Sequence, residues 1–430
     1  MPDRPPLRTE VLAGVTTFVT MAYIVFVQPT VLGAAGMDPG AVFMATCLAS
    51  AIATALMAWL ADYPIAVAPA MGHNFFFTYT VVLATGTPWQ VALGAVAIAG
   101  LVFILTAGVG LREHVITAVP TSLKHAIGVG IGLLIALIGL QWAGIIVDTP
   151  GTMVGLGDLR STPALLSVGT LLLTAVLMAR GVKGAFLVGM AAATVAALAL
   201  GLVRFEGVFS TPPSLAPTFL QLDIPGALRL EMIDVVFVFF FLALFDSVGT
   251  LIGVANRIGA IKDGVMPRAR QALLADAAGT VIGAGLGTST VTAYIESSAG
   301  VAAGGRTGRA SYVTAGLFLL APFCYPLVKM IGGGVAVGDV TLYPIVAPAL
   351  VLVGVMMMQG VTEIRWDDHA SAIPAFLTIV TIPLAVSITD GIAFGFIAAA
   401  VLALATGRRK SLHPLAYVFA AVFVLRYALK

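Results

Sequence analysis

Tyr63-Pro64-Ile65-Ala66-Val67-Ala68-Pro69-Ala70-Met71-Gly72-His73-Asn74 interrupts a long apolar run that resumes from Phe75 to Leu83. A second interruption, Gly287-Thr288-Ser289-Thr290-Val291-Thr292-Ala293-Tyr294-Ile295-Glu296, is followed by Ser297 to Ala303. Asn74 and Glu296 close the two interruptions 222 positions apart (296 − 74), and Pro120 and Pro344, each near the start of a later span, stand 224 apart (344 − 120). A near-constant offset of about half the chain predicts duplication of a seven-span unit. Seven is odd, so the second copy enters a membrane upside down. Inverted repeats interrupted at matching positions mark the binding site in one large class of membrane folds. Extended backbone at membrane depth is tolerated only where protein or a water-filled cavity satisfies it. Short helices starting near Asn74 and Glu296 would aim their N-terminal amides at the midplane. The competing reading, two ordinary kinks, leaves the matched positions and polar residues unexplained.

The composition requires a membrane around these runs. Of 430 residues, 60% are hydrophobic and 10% charged, and 47 are glycine, with a mean hydropathy of +1.05. A soluble domain carries about 25% charged residues, so this chain lacks the polar surface to face water. Its net charge of +2 gives no footing for nucleic-acid binding. Cys47 and Cys324 lie inside apolar runs as small hydrophobes, in neither number nor spacing that suggests disulfides or a metal site. Met356, Met357 and Met358 read as gap-fillers on an apolar helix. The first span starts at Val11 without a small-residue cleavage site and is read as retained.

About twenty apolar residues cross a bilayer as a helix, and that length criterion gives about fourteen spans. The first seven fall near 11–34, 41–61, 63–85, 88–110, 122–146, 162–180 and 183–204. A loop at 205–230, with Pro212, Pro213 and Pro217, separates them from 231–256, 269–287, 288–303, 308–331, 340–360, 371–388 and 390–407. The expected organisation is thus one inverted repeat at 11–204, a second at 231–407 and a tail at 408–430 whose apolar stretch, 413–429, lies on the membrane or crosses it. Placing the N-terminus in the cytoplasm assigns sixteen of the 22 basic residues to inside loops, among them Arg8, Lys124, Arg180, Arg268, Arg306, Arg365 and Arg408, along with Arg4, Arg112 and Lys262. Only Arg160, Arg204, Arg229 and Lys329 fall outside. The positive-inside rule therefore predicts a multi-pass protein of the cell's inner (plasma) membrane with a cytoplasmic N-terminus. Asp367, Asp368 and His369 lie in one inside loop and read as a solvated charge cluster.

Two carboxylates fall inside spans. Asp246 sits near the middle of the uncharged stretch 235–256, where a carboxylate is costly unless paired, hydrated or protonated, and so is a functional candidate. Thr250 follows it one helical turn later on the same face. Glu296 opens the half-helix after the second interruption, either as a plain N-cap or as a ligand that also gains from the helix end. Asn74, its counterpart, offers both a donor and an acceptor. His73 either titrates near neutral pH or satisfies local backbone. No nucleophile elbow, P-loop or zinc spacing is present.

Several strings together make a specific pattern: Gly72-His73-Asn74-Phe75-Phe76, Pro120-Thr121-Ser122-Leu123-Lys124, Phe245-Asp246-Ser247-Val248-Gly249-Thr250-Leu251 and Thr292-Ala293-Tyr294-Ile295-Glu296-Ser297. The chain, from about Thr9 to Lys410, resembles the AzgA-like branch of the nucleobase–cation symporter family, whose members carry adenine, guanine or hypoxanthine with protons. The resemblance implies an all-α polytopic fold of fourteen spans in two inverted repeats, with a core domain of spans one to four and eight to eleven and a gate domain of spans five to seven and twelve to fourteen. It implies that Asp246 and Glu296 bind the purine, that Asn74 and the backbone around Phe75, Tyr294 and Ile295 line the site, and that the protein is a homodimer. Thr250 stands where related uracil and xanthine carriers have an ionisable residue, which shifts proton coupling to Asp246 and Glu296. His73 stands where the family has an apolar residue. The chemistry agrees: a purine edge offers N–H donors and ring-nitrogen acceptors that carboxylates and an amide can read, with Phe75 for apolar contact. No cofactor beyond the coupling proton is expected. Two other readings stay open, an anion carrier of the sulfate type on the same architecture and an integral-membrane enzyme. The carboxylates count against the first, and the missing catalytic constellation against the second.

Overall fold

The computed structural model describes residues 5–109, 119–261 and 266–429. The elements of the first half are α1 (Leu7–Met21), α2 (Ile24–Gly33), α3 (Pro39–Ala61), β1 (Val67–Pro69), α4 (Met71–Phe75, running on as a π-helix over Phe76–Ala84), α5 (Trp89–Val109), α6 (Thr121–Trp142), β2 (Ile146–Thr149), β3 (Met153–Leu156), α7 (Thr162–Ala179) and α8 (Ala185–Ala199). The second half holds α9 (Ile224–Ala227), α10 (Ile233–Ile258), α11 (Ala269–Leu286), β4 (Val291–Ala293), α12 (Ser297–Ala302), α13 (Gly308–Leu320), α14 (Tyr325–Gly332), β5 (Val335–Val337), β6 (Val340–Leu342), α15 (Ala347–Met357), α16 (His369–Leu384), α17 (Ile388–Ala405) and α18 (Pro414–Leu429). Local chemistry sets the boundaries. The Asp38 carboxylate accepts from the Ala41 N–H at 2.7 Å while Pro39 occupies the first turn, so α3 starts there. Asp368 and Ser387 cap α16 and α17 in the same way.

The expected spans are present, with three differences. The first is broken in its middle at Ala22–Tyr23 into α1 and α2. The twelfth begins later than expected, because residues 335–342 form the β5–β6 hairpin rather than helix. The stretch 413–429 is a helix packed antiparallel along α17: Phe396 meets Phe419 at 5.5 Å, and Tyr427 near its far end donates to Asp390 Oδ1 at 2.7 Å. Arg4, Arg112 and Lys262, counted in the charge bias, lie outside the described residues.

Two compact units divide the chain, one holding residues up to Gly108 with Gln141–Ala349 and the other Val109–Leu140 with Leu350–Lys430. In the first unit the two interruptions meet. β1 and β4 form an antiparallel pair with Val67 opposite Ala293, Ala68 opposite Thr292 and Pro69 opposite Val291. The central partners, Ala68 and Thr292, are 224 positions apart (292 − 68), the same offset as Pro120 and Pro344. Loop contacts alternate as the span order requires. At one end Glu10 accepts from the Thr307 N–H at 3.1 Å and Asp62 from the Gly308 N–H at 2.9 Å. At the other, the Asp223 N–H donates to Gln90 O at 2.9 Å and the Leu220 N–H to Gly285 O at 2.8 Å. Small residues bring the backbones close. A Cβ on Gly300 would meet the Thr17 hydroxyl at 2.1 Å, which is how α12 lies against α1. Gly287, at φ +101°, turns α11 into the second interruption.

The sixth and seventh spans, α7 and α8, pack with this first unit. Gly184 abuts Val19, and Phe186 lies 4.9 Å from Tyr23. The compact units therefore differ from the expected core and gate domains at these two helices: the start of α8 lies against Val19 and Tyr23, and α7 lies on α8, where Thr174 packs on Gly189.

The second unit packs α6 against α15, where a Cβ on Gly354 would meet Gly132 O at 2.6 Å. Ala126, Val129, Ile364, Ala375 and Ile379 make its buried core. The Arg408 guanidinium donates to Asp368 at 2.9 Å and holds its carboxyl below the usual carboxylate range.

Candidate functional site

Strand pairing at membrane depth leaves backbone groups on the two outer edges of the ladder to be satisfied. One hydroxyl serves each edge. Thr54 of α3 accepts from the Val67 N–H at 3.0 Å and donates to Val67 O at 3.1 Å, and Thr280 of α11 donates to Val291 O at 2.8 Å. Beyond the ladder the Ala70 N–H donates to Thr290 O and the Tyr294 N–H to Ala66 O, both at 2.9 Å, while the Ala66 N–H donates to Ser297 Oγ at 3.0 Å. The interruptions are thus one hydrogen-bonded unit from which two short helices depart in opposite directions.

On the second side, Glu296 is partly exposed and accepts a hydrogen bond from the Tyr23 hydroxyl at 2.8 Å. It stands at the N-cap of α12, but its side chain caps no backbone N–H. Tyr23 reaches it because α1 breaks at Ala22–Tyr23. Asp246 of α10 is exposed, and its Oδ2 accepts from Thr292 Oγ at 3.1 Å. Thr292 is the central residue of β4, so both carboxylates are held from the same strand-to-helix corner. Thr250 is buried one turn below Asp246. Ile295 is exposed, and the buried Tyr294 donates its hydroxyl to Pro69 O.

On the first side, Asn74 is fully buried and engaged at both ends: its amide donates to Gln28 Oε1, and its oxygen accepts from Ser289. Gln28 in turn donates to Thr288 at 2.9 Å. Phe75 is fully buried and stacks on Tyr79 at 5.5 Å. His73 is buried, and neither ring nitrogen has a hydrogen-bond partner among the described residues. The structure therefore brings Asp246, Tyr294, Ile295 and Glu296 to one accessible corner and places Asn74 and Phe75 behind it.

Three participants escaped the reading of the sequence. Tyr23 sits in a run without Gly or Pro, so nothing local marks the break. Gln28 bridges both interruptions but looks like any polar residue in a long helix. Asp276 of α11 is fully buried, and its Oδ2 accepts from Ser247, beside Asp246. An acid in the ninth span was a visible signal, since buried carboxylates in spans are costly. Among the described residues no three His, Cys, Asp or Glu side chains are placed to hold a metal ion.

This architecture is that of multi-pass transporters built from two inverted seven-span repeats with core and gate domains. The chain superposes over 91% of its length on the transmembrane domain of BicA, a cyanobacterial bicarbonate transporter, covering 97% of that domain at a TM-score of 0.65 and 17% identity. At that identity the likeness concerns the fold. The chain belongs to the xanthine/uracil permease family, described as "Permease family", which matches residues 8–424. It is 43% identical to the adenine permease AdeP of Escherichia coli over 97% of this chain and 92% of that one. It is 44% identical to the guanine/hypoxanthine permease PbuG of Bacillus subtilis over 98% of this chain and 96% of that one. A Methanocaldococcus jannaschii chain named only as a permease is 51% identical over 98% of this chain and 95% of its own length.

Proposed function

We propose that this protein is a proton-coupled transporter that takes up purine nucleobases (adenine, guanine or hypoxanthine) by alternating access. The observation that carries the reading is the corner where Thr292 holds Asp246 and Tyr23 holds Glu296, two accessible carboxylates on either side of one β4–α12 junction. Each carboxylate has lone pairs left to accept from the N–H edge of a base. Relatives named adenine and guanine/hypoxanthine permeases support the purine class.

In this mechanism Asp246 and Glu296 bind the base and carry the coupling proton, because protonating one of two neighbouring acids removes a charge from membrane depth before the site moves. Tyr294, Ile295 and Thr250 shape the corner. Asn74 acts as a positioning residue by tying Gln28 and Ser289 together behind Phe75. Each repeat, 11–204 and 231–407, contributes spans to both the core and the gate domain, the core being the part that moves in alternating access, with 408–430 appended. The reading further includes a homodimer in the inner (plasma) membrane with the N-terminus in the cytoplasm, the orientation that the basic residues favour.

The test is uptake of radiolabelled adenine, guanine, hypoxanthine, xanthine and uracil into cells expressing the chain, with and without a protonophore. Protonophore-sensitive uptake of a purine, competed by other purines, is expected. No base uptake by protein shown to reach the membrane, combined with transport of bicarbonate or sulfate, would replace this reading with an anion carrier.

A further inference from the structure

The second unit contains a cleft that the transport reading does not use. It has a volume of about 180 Å³ and lies between the start of α6, the start of α16 and the end of α17. One wall is cationic. Arg365 and Arg408 flank the single carboxylate of Asp368, Arg408 at 2.9 Å and Arg365 at 3.9 Å. Asp368 also accepts from Ser371 Oγ at 3.2 Å and the Ala370 N–H at 3.2 Å. Two guanidiniums against one acid leave a net positive charge. Arg365 adds only a 3.5 Å contact to Ser371, so most of the ten guanidinium N–H donors face no protein acceptor among the described residues. Both arginine side chains are more than half exposed. Arg409 and Lys410 follow Arg408 directly in the chain.

The other wall is apolar. Ala399 and Ala403 of α17 line it, and on the same helix Val401 and Leu404 are exposed, as are Ile373 and Phe376 of α16. Leu123, Pro374 and Leu412 complete the apolar part of the lining, a surface that a free anion does not need. A phospholipid needs both: donors for the phosphate and an apolar slope for the glycerol and chains. Basic pockets between spans at the membrane boundary are the usual seats of anionic head groups.

We propose that this cleft binds the phosphate of an anionic phospholipid, with Arg365 and Arg408 as ligands and Asp368 as the built-in competitor that spaces them. The fork geometry of arginine suits two phosphate oxygens. Asp368 orients both guanidiniums in the absence of lipid and lowers the net attraction, so its removal should tighten binding.

The experiment is native mass spectrometry of the purified full-length protein after delipidation and add-back of phosphatidylglycerol or phosphatidylcholine of matched chains. Phosphatidylglycerol should be retained over phosphatidylcholine on the order of tenfold in wild type. Retention should rise in Asp368→Asn and fall to the phosphatidylcholine level in Arg365→Gln/Arg408→Gln/Asp368→Asn. The triple variant leaves no unpaired acid behind, and its melting temperature verifies the fold. Undiminished preference in a folded triple variant would overturn the site, as would unchanged or weaker retention in Asp368→Asn. Displacement of phosphatidylglycerol by millimolar inorganic phosphate would overturn the lipid assignment in favour of a free-anion site.

Discussion

Around Met71–Phe75 the polar amide is buried and paired with protein at both ends, whereas around Tyr294–Glu296 two acids stand open, each fixed by one hydroxyl. The two interruptions otherwise follow the same plan. Each has a three-residue strand, a supporting threonine on the preceding span and a short departing helix. A duplicated design with one half closed and the other open teaches that the copies have divided their labour. On the proposed function, the first supports and the second reads the base.

That contrast is broken most directly at the open side. Glu296→Gln and Asp246→Asn are each expected to lower proton-driven purine uptake by on the order of 100-fold, the cost of losing one charged partner from a hydrogen-bonded contact with the base. Initial rates of labelled uptake at equal surface expression measure it. Rates within twofold of wild type would remove the acids from the site. The closed side should respond in stability instead. Asn74→Leu orphans Ser289 and Gln28 groups at about 1–3 kcal/mol each, visible as a lower melting temperature with KM changed less than about threefold. A tenfold rise in KM at unchanged stability would make Asn74 a direct ligand.

The two threonines sharpen the comparison further, because they do the same work in both copies. Thr54→Val and Thr280→Val should each cost about 1 kcal/mol, with similar losses of melting temperature. Thr54 makes two hydrogen bonds to Val67, so a larger loss there is the permitted asymmetry. The smallest effect is expected at His73. Both its ring nitrogens are buried without hydrogen-bond partners among the described residues, so His73→Leu should leave uptake within twofold and raise stability by up to about 1 kcal/mol. Loss of uptake in a stable His73→Leu variant would show that the ring meets the base.

Much of this was legible from residue order alone. Apolar length marked the spans, and the offset between Asn74 and Glu296 marked the repeat. A carboxylate in the middle of the otherwise uncharged stretch 235–256 of α10, such as Asp246, announces itself because charge at that depth is costly. Pairing was not legible. Tyr23 meets Glu296 across 273 positions, and Gln28 meets Asn74 across 46; neither distance follows from local pattern. The break at Ala22–Tyr23 and the π-helix over Phe76–Ala84 lack any Gly or Pro within them, so packing rather than propensity decides them. Nor could the sequence tell that α8 would start against Val19 of α1 and carry α7 with it.

The β1–β4 ladder has a consequence for how the protein is made. Its partners are 224 positions apart, and within its own half the strand is hydrogen-bonded, among the described residues, through Thr54. At synthesis rates of about 5–20 residues per second, the first strand waits roughly 10–45 seconds for the second. For that time the nascent first half holds an open strand edge inside the bilayer, where each unsatisfied backbone group costs several kcal/mol. The first seven spans therefore cannot settle alone. Water, lipid head groups or the insertion machinery must shelter residues 67–69 until the second half arrives to close the edge.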